Sequence, residues 1–272
     1  MNRSPYAGEP KTRPSVVVCL DILGFQEQMK AACGNGTGDE LLRRLHAALD
    51  KAYTSLQELA EGREEARFYD MKYFTDNLVI GHPLWKRLRG LTDEQQGESE
   101  LGFLFDSLSD VQLVLALEGF FVRGAISCGD LYMDDKIVFG KGLLEAHDGE
   151  DKLARDPRII LMESAKTRVM EHLKFYINTE DAPQRGYLLK DADRQIFVNY
   201  LHAIEWLGDP HLYTLEQHAS VVRKKLVEFE SVPRIWSKYV WVAHYHNYYC
   251  ELIGADELKI EPGCITANIS RI

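Results

Sequence analysis

Residues 16–25 read VVVCLDILGF. The apolar, β-branched run predicts a strand buried on both faces, and Asp21 stands where that strand emerges. A carboxylate leaving a packed sheet is costly unless a cation, a helix amino terminus or a bound metal compensates it. On its own, Asp21 also reads as the cap of a helix starting near Gly24. A second acid at the same place favours a metal, and KYFTDNLVI (72–80) supplies Asp76 in the short polar turn of a hairpin. If the first strand lies beside that hairpin, both acids stand at one edge of the sheet. Two such carboxylates repel unless a divalent cation separates them, and an oxygen-rich set of this kind suits magnesium or manganese.

Composition narrows the classes. The chain has 272 residues, 45% hydrophobic and 27% charged, enough for one large α/β domain or a domain plus an extension. A net charge of -10 counts against a nucleic-acid partner, though not against a nucleotide chelated to metal. Five irregularly spaced cysteines without a CxxC suggest neither a disulfide framework nor a zinc ribbon, which fits a reducing cytoplasm. The amino terminus has no secretory h-region, and its prolines predict a loose lead over 1–13. VQLVLALEGFFV (111–122) is far short of the roughly 20 residues a membrane span needs.

Periodicity predicts a helix over 25–33 and an amphipathic helix over 39–60, on which Leu41, Leu45, Leu49, Ala52 and Leu56 recur. ARFYDMKYF (66–74) and NLVIG (77–81) read as the hairpin strands, with Tyr73 pointing into the core, opposite Lys72. Residues 82–98 read as a loop and 98–119 as a helix. Strands follow at FFVRGAIS (120–127) and KIVFG (136–140), a helix at 142–154 and a strand at PRIILM (157–162). These elements predict a mixed sheet covered by helices on one face, an α/β (α+β) fold. From Ser164 onward, helices are expected over 163–174, 214–230 and 233–254, the last opened by Pro233. FYINTE (175–180) and QIFVNYL (195–201) are candidate strands. His246 and Cys250 share a helix face, but two ligands are too few for a metal, so packing is the expected role.

The same constellation carries a family resemblance. VVVCLDILGF resembles the first metal motif of class III nucleotide cyclases, an acid followed by two apolar residues, glycine and phenylalanine. KYFTDNLVI resembles their second, in which a lysine precedes the hairpin acid by four, as Lys72 precedes Asp76. VRGAISCG (122–129) resembles the strand whose arginine contacts the terminal phosphates, which implies that role for Arg123; a plain salt bridge to Asp130 is the alternative. FGKGLLEAHDGEDKLARDPRIIL (139–161) and KYVWVAHYHNYYCE (238–251) resemble the Pycsar antiphage pyrimidine cyclases.

The resemblance implies a mainly antiparallel mixed sheet covered by helices. It divides the chain into a catalytic domain over 14–163 and a helical carboxy-terminal extension over 164–272, which packs on that domain or on a dimer partner. It also implies two ions of Mg2+ or Mn2+. One is held by Asp21, Asp76 and the Ile22 carbonyl; the other arrives with the triphosphate. Gly24 and Phe25 lend amide donors to phosphate, and Lys72 faces the base or phosphates. The site forms between the subunits of a homodimer.

Three departures bear on the substrate. Ile137 stands where purine cyclases carry a base-reading acid, and an aliphatic side chain cannot hydrogen-bond a purine edge. Leu144 replaces a ribose-orienting asparagine and Asp148 a transition-state arginine, leaving Lys141 or Arg155 as substitute cations. The expectation is conversion of UTP to 3',5'-cyclic UMP and pyrophosphate. Cyclisation of CTP, a purine cyclase and a nucleotide-sensing module without turnover are the alternatives.

Overall fold

β1 (Arg13–Ile22) is the axis of the sheet. Its alternate residues Val16, Val18, Leu20 and Ile22 enter one hydrophobic cluster, while Val17 and Cys19 enter another on the opposite face. Each such aliphatic side chain contributes on the order of 1.5–3 kcal/mol on burial. The structure is a computed structural model and describes residues 4–58, 69–84, 93–176, 182–207, 211–261 and 269–271.

After β1 come α1 (Phe25–Gly34), α2 (Gly38–Glu58), β2 (Asp70–Phe74), β3 (Asn77–Pro83) and α3 (Asp93–Leu117). The chain continues through β4 (Val122–Met133), β5 (Val138–Phe139), α4 (Lys141–Lys152), β6 (Ile159–Leu161), α5 (Glu163–His172) and α6 (Gln184–Tyr187). β7 (Leu188–Lys190), β8 (Ile196–Val198), α7 (His211–Glu228), α8 (Pro233–Ile253) and β9 (Ser270–Arg271) complete it. The strands lie in the order β2-β3-β1-β4-β6-β8-β7-β9, with β5 paired to β4. β4 and β6 run parallel and the other pairs antiparallel, so the sheet is mixed and mainly antiparallel.

Helices cover both faces rather than one. Leu45, Ala48 and Leu56 of α2, Leu104, Phe105 and Leu108 of α3 and Val169 of α5 fill the cluster on one side. On the other, Ala146 of α4 packs on Val17 and Cys19. Farther along that side, Leu215 and Val222 of α7 and Tyr239 and Tyr245 of α8 join Ala125, Ile160, Leu189 and Phe197 of the sheet. The period-2 pattern of β4, β6 and β8 offers apolar side chains to both faces, which one layer of helices cannot cover.

Four further local differences have physical causes. The lead is packed from Ser4 on: Tyr6 is 1% exposed, its hydroxyl lies 3.0 Å from that of Ser15, and Arg13 donates to the Pro5 carbonyl at 2.7 Å. α3 begins at Asp93, inside the expected loop, of which 85–92 lie outside the described residues. Of 175–180, Phe175 closes a 3-10 turn (Leu173–Phe175) instead of opening a strand, and 177–180 lie outside the described residues. β8 stops at Val198, because the chain turns into a 3-10 helix at Tyr200–Leu207. Among the described residues no helix is long and apolar enough to cross a membrane.

Candidate active site

Asp21 faces Asn77 across β1 and β3 and Arg123 across β1 and β4. The Ile22 N–H donates to the Asp76 carbonyl at 3.0 Å, so the β2–β3 turn is tied to the end of β1. Asp21 and Asp76 are therefore neighbours at one edge of the sheet. The turn is tight, and Thr75 adopts φ 58°, an uncommon conformation for a β-branched residue. The Thr75 hydroxyl donates to Asp76 Oδ1 at 2.7 Å and the Asn77 amide does so at 3.2 Å, which orients the carboxylate.

Asp21 is not a helix cap. The residue before α1 is Gly24, at φ 66°, and no side chain caps that end. A side chain at Gly24 would be strained by that φ, and its Cβ would meet Ile235 of α8 at 3.4 Å. The first N–H groups of α1, beginning at Phe25, have no partner within the helix and no side-chain cap.

Arg123 is held on all sides by the protein. Its Nε donates to Asp21 Oδ2 at 2.8 Å and its Nη2 to Glu150 Oε1 at 2.9 Å. Nη1 donates to the main-chain carbonyls of Glu150 at 3.2 Å and Ala154 at 3.3 Å. The partner is thus Asp21 with Glu150 rather than Asp130, because β4 aligns Arg123 with Asp21 while Asp130 lies opposite Pro14. Burial pushes the Asp21 carboxyl above its usual value; Arg123 pulls it down and the Asp76 charge pushes it up again. Glu150 is raised by burial too, against the pull of Arg123. Asp21 and Glu150 thus clasp one arginine, with the Asp76 charge acting on Asp21.

Lys72 pairs with Val79, and Val79 with Cys19, which puts Lys72 on the Asp21 face. Its ammonium meets Asp135 at 3.1 Å. Asp135 belongs to the turn before β5 that also carries Ile137, 50% exposed, so Lys72 and Ile137 are brought toward each other. Tyr73 points to the helical side, with its hydroxyl 3.5 Å from the Leu49 carbonyl, but it is 42% exposed instead of buried because β2 is an edge strand. Leu144 is exposed, and Asp148 is paired with Lys152 at 2.7 Å on the outer side of α4.

Sequence reasoning missed two residues, Glu150 and Lys238. Lys238 lies on α8 one turn beyond Ile235, the residue packed on Gly24. Its ammonium is lowered by burial and by the charges of Arg123 and Arg234, and raised by those of Asp156 and Asp21. It has no ion pair among the described residues. A lysine opening the aromatic run KYVWVAHYHNYYCE was the one available signal. Among the described residues no group of three or more His, Cys, Asp or Glu side chains is placed to hold a metal ion. What the strand end brings together is the pair Asp21 and Asp76.

No protein-family model matches the chain, and no curated protein matches it. Among solved structures, it is similar to the adenylyl cyclase CyaB from P. aeruginosa, with TM-score 0.42 and 11% identity over 70% of this chain and 94% of that one. A likeness this slight carries no function from one protein to the other.

Proposed function

We propose that the chain is a nucleotide cyclase acting on a pyrimidine triphosphate, UTP before CTP, and that it works as a homodimer with Mg2+ or Mn2+. The observation that carries the reading is the junction of the strand-end acid Asp21 with the hairpin acid Asp76 through the Ile22–Asp76 hydrogen bond. The donor set fits the ion. Both side chains are hard oxygen donors, and Asp21 Oδ1 has no hydrogen-bond partner among the described residues once Arg123 has taken Oδ2. Two carboxylates and the Ile22 carbonyl are few for a structural cation, but suit one that keeps positions for phosphate and water. When bound, such an ion lowers the pKa of the ribose hydroxyl and offsets phosphate charge.

The chain's own groups do the positioning. The Gly24–Phe25 turn presents main-chain N–H groups to phosphate oxygens. Lys72 and Ile137 border the base, with Ile137 offering no hydrogen bond to a purine edge. Arg123 holds Asp21 in place, and Lys238, within electrostatic reach of Asp21, is the cation for developing phosphate charge, with exposed Lys141 and Arg155 as the alternatives. In the reaction, the 3'-oxygen loses its proton and bonds to the α-phosphorus. The bond from that phosphorus to the bridging oxygen of the β-phosphate breaks, and pyrophosphate leaves. Tethering of nucleophile and electrophile makes alignment the main requirement. The exposed apolar residues Phe74, Phe139 and Leu144, at 78%, 62% and 67%, support pairing of two copies.

Incubation with the four triphosphates and Mg2+ or Mn2+, read by mass spectrometry, tests the proposal. Cyclic UMP with equimolar pyrophosphate is expected, and absence of every cyclic product overturns it. The clasp of Arg123 on Asp21 favours one other reading, a nucleotide sensor. An unchanged stoichiometric ligand in calorimetry would mark that outcome.

A further inference from the structure

A cavity of about 400 Å3 lies away from the acids, where α1, α2 and α7 meet the carboxy-terminal end of α3. Three cations, Arg44, Lys224 and Lys225, and three carboxylates, Glu40, Glu118 and Glu228, line it. Lys225 is only 6% exposed, yet its ammonium reaches the cavity, paired with Glu228 at 2.9 Å. Arg44 donates to the main-chain carbonyl of Glu118 at 2.8 Å, while the Glu118 carboxylate is held by Lys51. Lys224 also lines the cavity. With Glu118 held by Lys51 from outside the lining and Glu228 by Lys225, Arg44 and Lys224 have no carboxylate partner among the described residues and face Glu40 alone.

The cations converge. Gly119 sits at φ 88°, and a Cβ there would lie 3.4 Å from Lys225 Cε and 3.6 Å from Arg44 Nη2. The absence of a side chain leaves open the space between two positive groups. Leu41, Leu117 and Val221 supply apolar wall beside them. The volume falls in the range of small-molecule sites, roughly 300–1,000 Å3.

A hydrogen-bonded path leads from the cavity to the end of β1. Lys225 Nζ donates to Gln28 Oε1 at 3.3 Å, and Gln28 Nε2 donates to the Leu23 carbonyl at 3.3 Å. Leu23 lies between Ile22 and Gly24. α1, which carries Gln28, has no buried residue, so little packing resists a shift of that helix.

We propose that this cavity is a binding site for a small anion with a short apolar body, a phosphate monoester or a carboxylate, whose charged group bridges Arg44 and Lys225. Its occupancy reaches the Leu23–Phe25 turn through Gln28. Binding is independent of the cyclase reading; only the consequence for turnover rests on it.

The full chain is titrated with inorganic phosphate and, separately, with butyrate, against sodium chloride at matched ionic strength. A saturable rise of ~3 °C in the unfolding midpoint is expected at about ten times Kd. Arg44 and Lys224 are exposed, so R44A/K224A should fold, and a tenfold or greater loss of affinity is expected. D21A should bind as the parent does. Response to only one probe assigns the head group; no saturable response, or equal binding by R44A/K224A, overturns the site. For the coupling, amide exchange over residues 22–28 should slow at least threefold with the probe in the parent but not in Q28A, which still binds. Unchanged exchange in the parent overturns the coupling, and both readouts work in a chain without cyclase activity.

Discussion

At the end of β1 the polar groups are charged and outnumber their partners, whereas in the histidine pair between α7 and α8 they are neutral and matched. Asp21 and Glu150 share Arg123, and the Asp76 charge acts on Asp21. Under the helices a single chain of hydrogen bonds runs from Tyr200 to His218 at 2.8 Å, from His218 to His246 at 3.0 Å, and from His246 to the Leu258 carbonyl at 3.0 Å. One proton per bond satisfies this chain. Tyr200 donates to His218 Nε2, His218 Nδ1–H to His246 Nδ1, and His246 Nε2–H to the carbonyl, with the Cys250 sulfur 3.3 Å away. Both histidines are then neutral, as burial requires. A cluster whose protons balance internally holds the fold together, while one left with surplus charge waits for a ligand.

The largest test of that contrast is D76A. It removes a candidate metal ligand from an exposed turn, so cyclic product should fall at least about 10³-fold, on the order of 4 kcal/mol, with the unfolding midpoint nearly unchanged. H218A should do the reverse. It leaves Tyr200 and His246 without their partner in a dry core, and denaturant melts should show a loss of about 3 kcal/mol while kcat at low temperature is retained.

Acid should act on the buried cluster. An unfolded histidine takes up a proton near pH 6.5, whereas the folded His246 does so only near about 4, and burial holds His218 well below its usual value too. Their contribution is complete above pH 6.5 and declines as pH falls toward 4, by about 1.4 kcal/mol per pH unit for each ring. Urea midpoints between pH 7 and 4 measure it, and H246Q should flatten the slope by one ring's share.

K238A should lower kcat by about 10²-fold with little change in KM, since a cation aimed at developing charge acts mainly in the transition state. A pure KM effect would instead make it a ground-state phosphate contact. The smallest effect is on stability. Burial raises the Asp21 carboxyl, so its ionised form opposes folding above its unfolded pKa and the penalty grows as pH rises through the folded value. D21N without divalent metal at pH 8 should therefore melt higher than the parent, by up to about 1 kcal/mol, although inactive.

Much of the architecture was readable because each element repeats a simple period. The alternation of VVVCLDI, the leucine spacing of α2 and Pro233 at the first turn of α8 predicted strand or helix from local chemistry. The second layer of helices was not readable. The apolar residues of β4 and β6 show that both faces are buried, but not which later segment covers them. Within the candidate site, the juxtaposition of Asp21 and Asp76 followed from the expected pairing of β1 with the hairpin. The clasp of Arg123 by Glu150, from α4, did not. Nor did Lys238, whose place depends on how Ile235 seats α8 against Gly24.

The amino-acid sequence by itself determined most of the strands and helices and the two acids with hard oxygen donors. Those properties reside in residue type and short-range spacing. The tertiary structure alone decided which cations meet those acids, which histidines share protons, and that a cavity lined by charged residues connects through Gln28 to the end of β1. Such contacts join elements distant in the chain, and their geometry exists only once the helices have packed on both faces of the sheet.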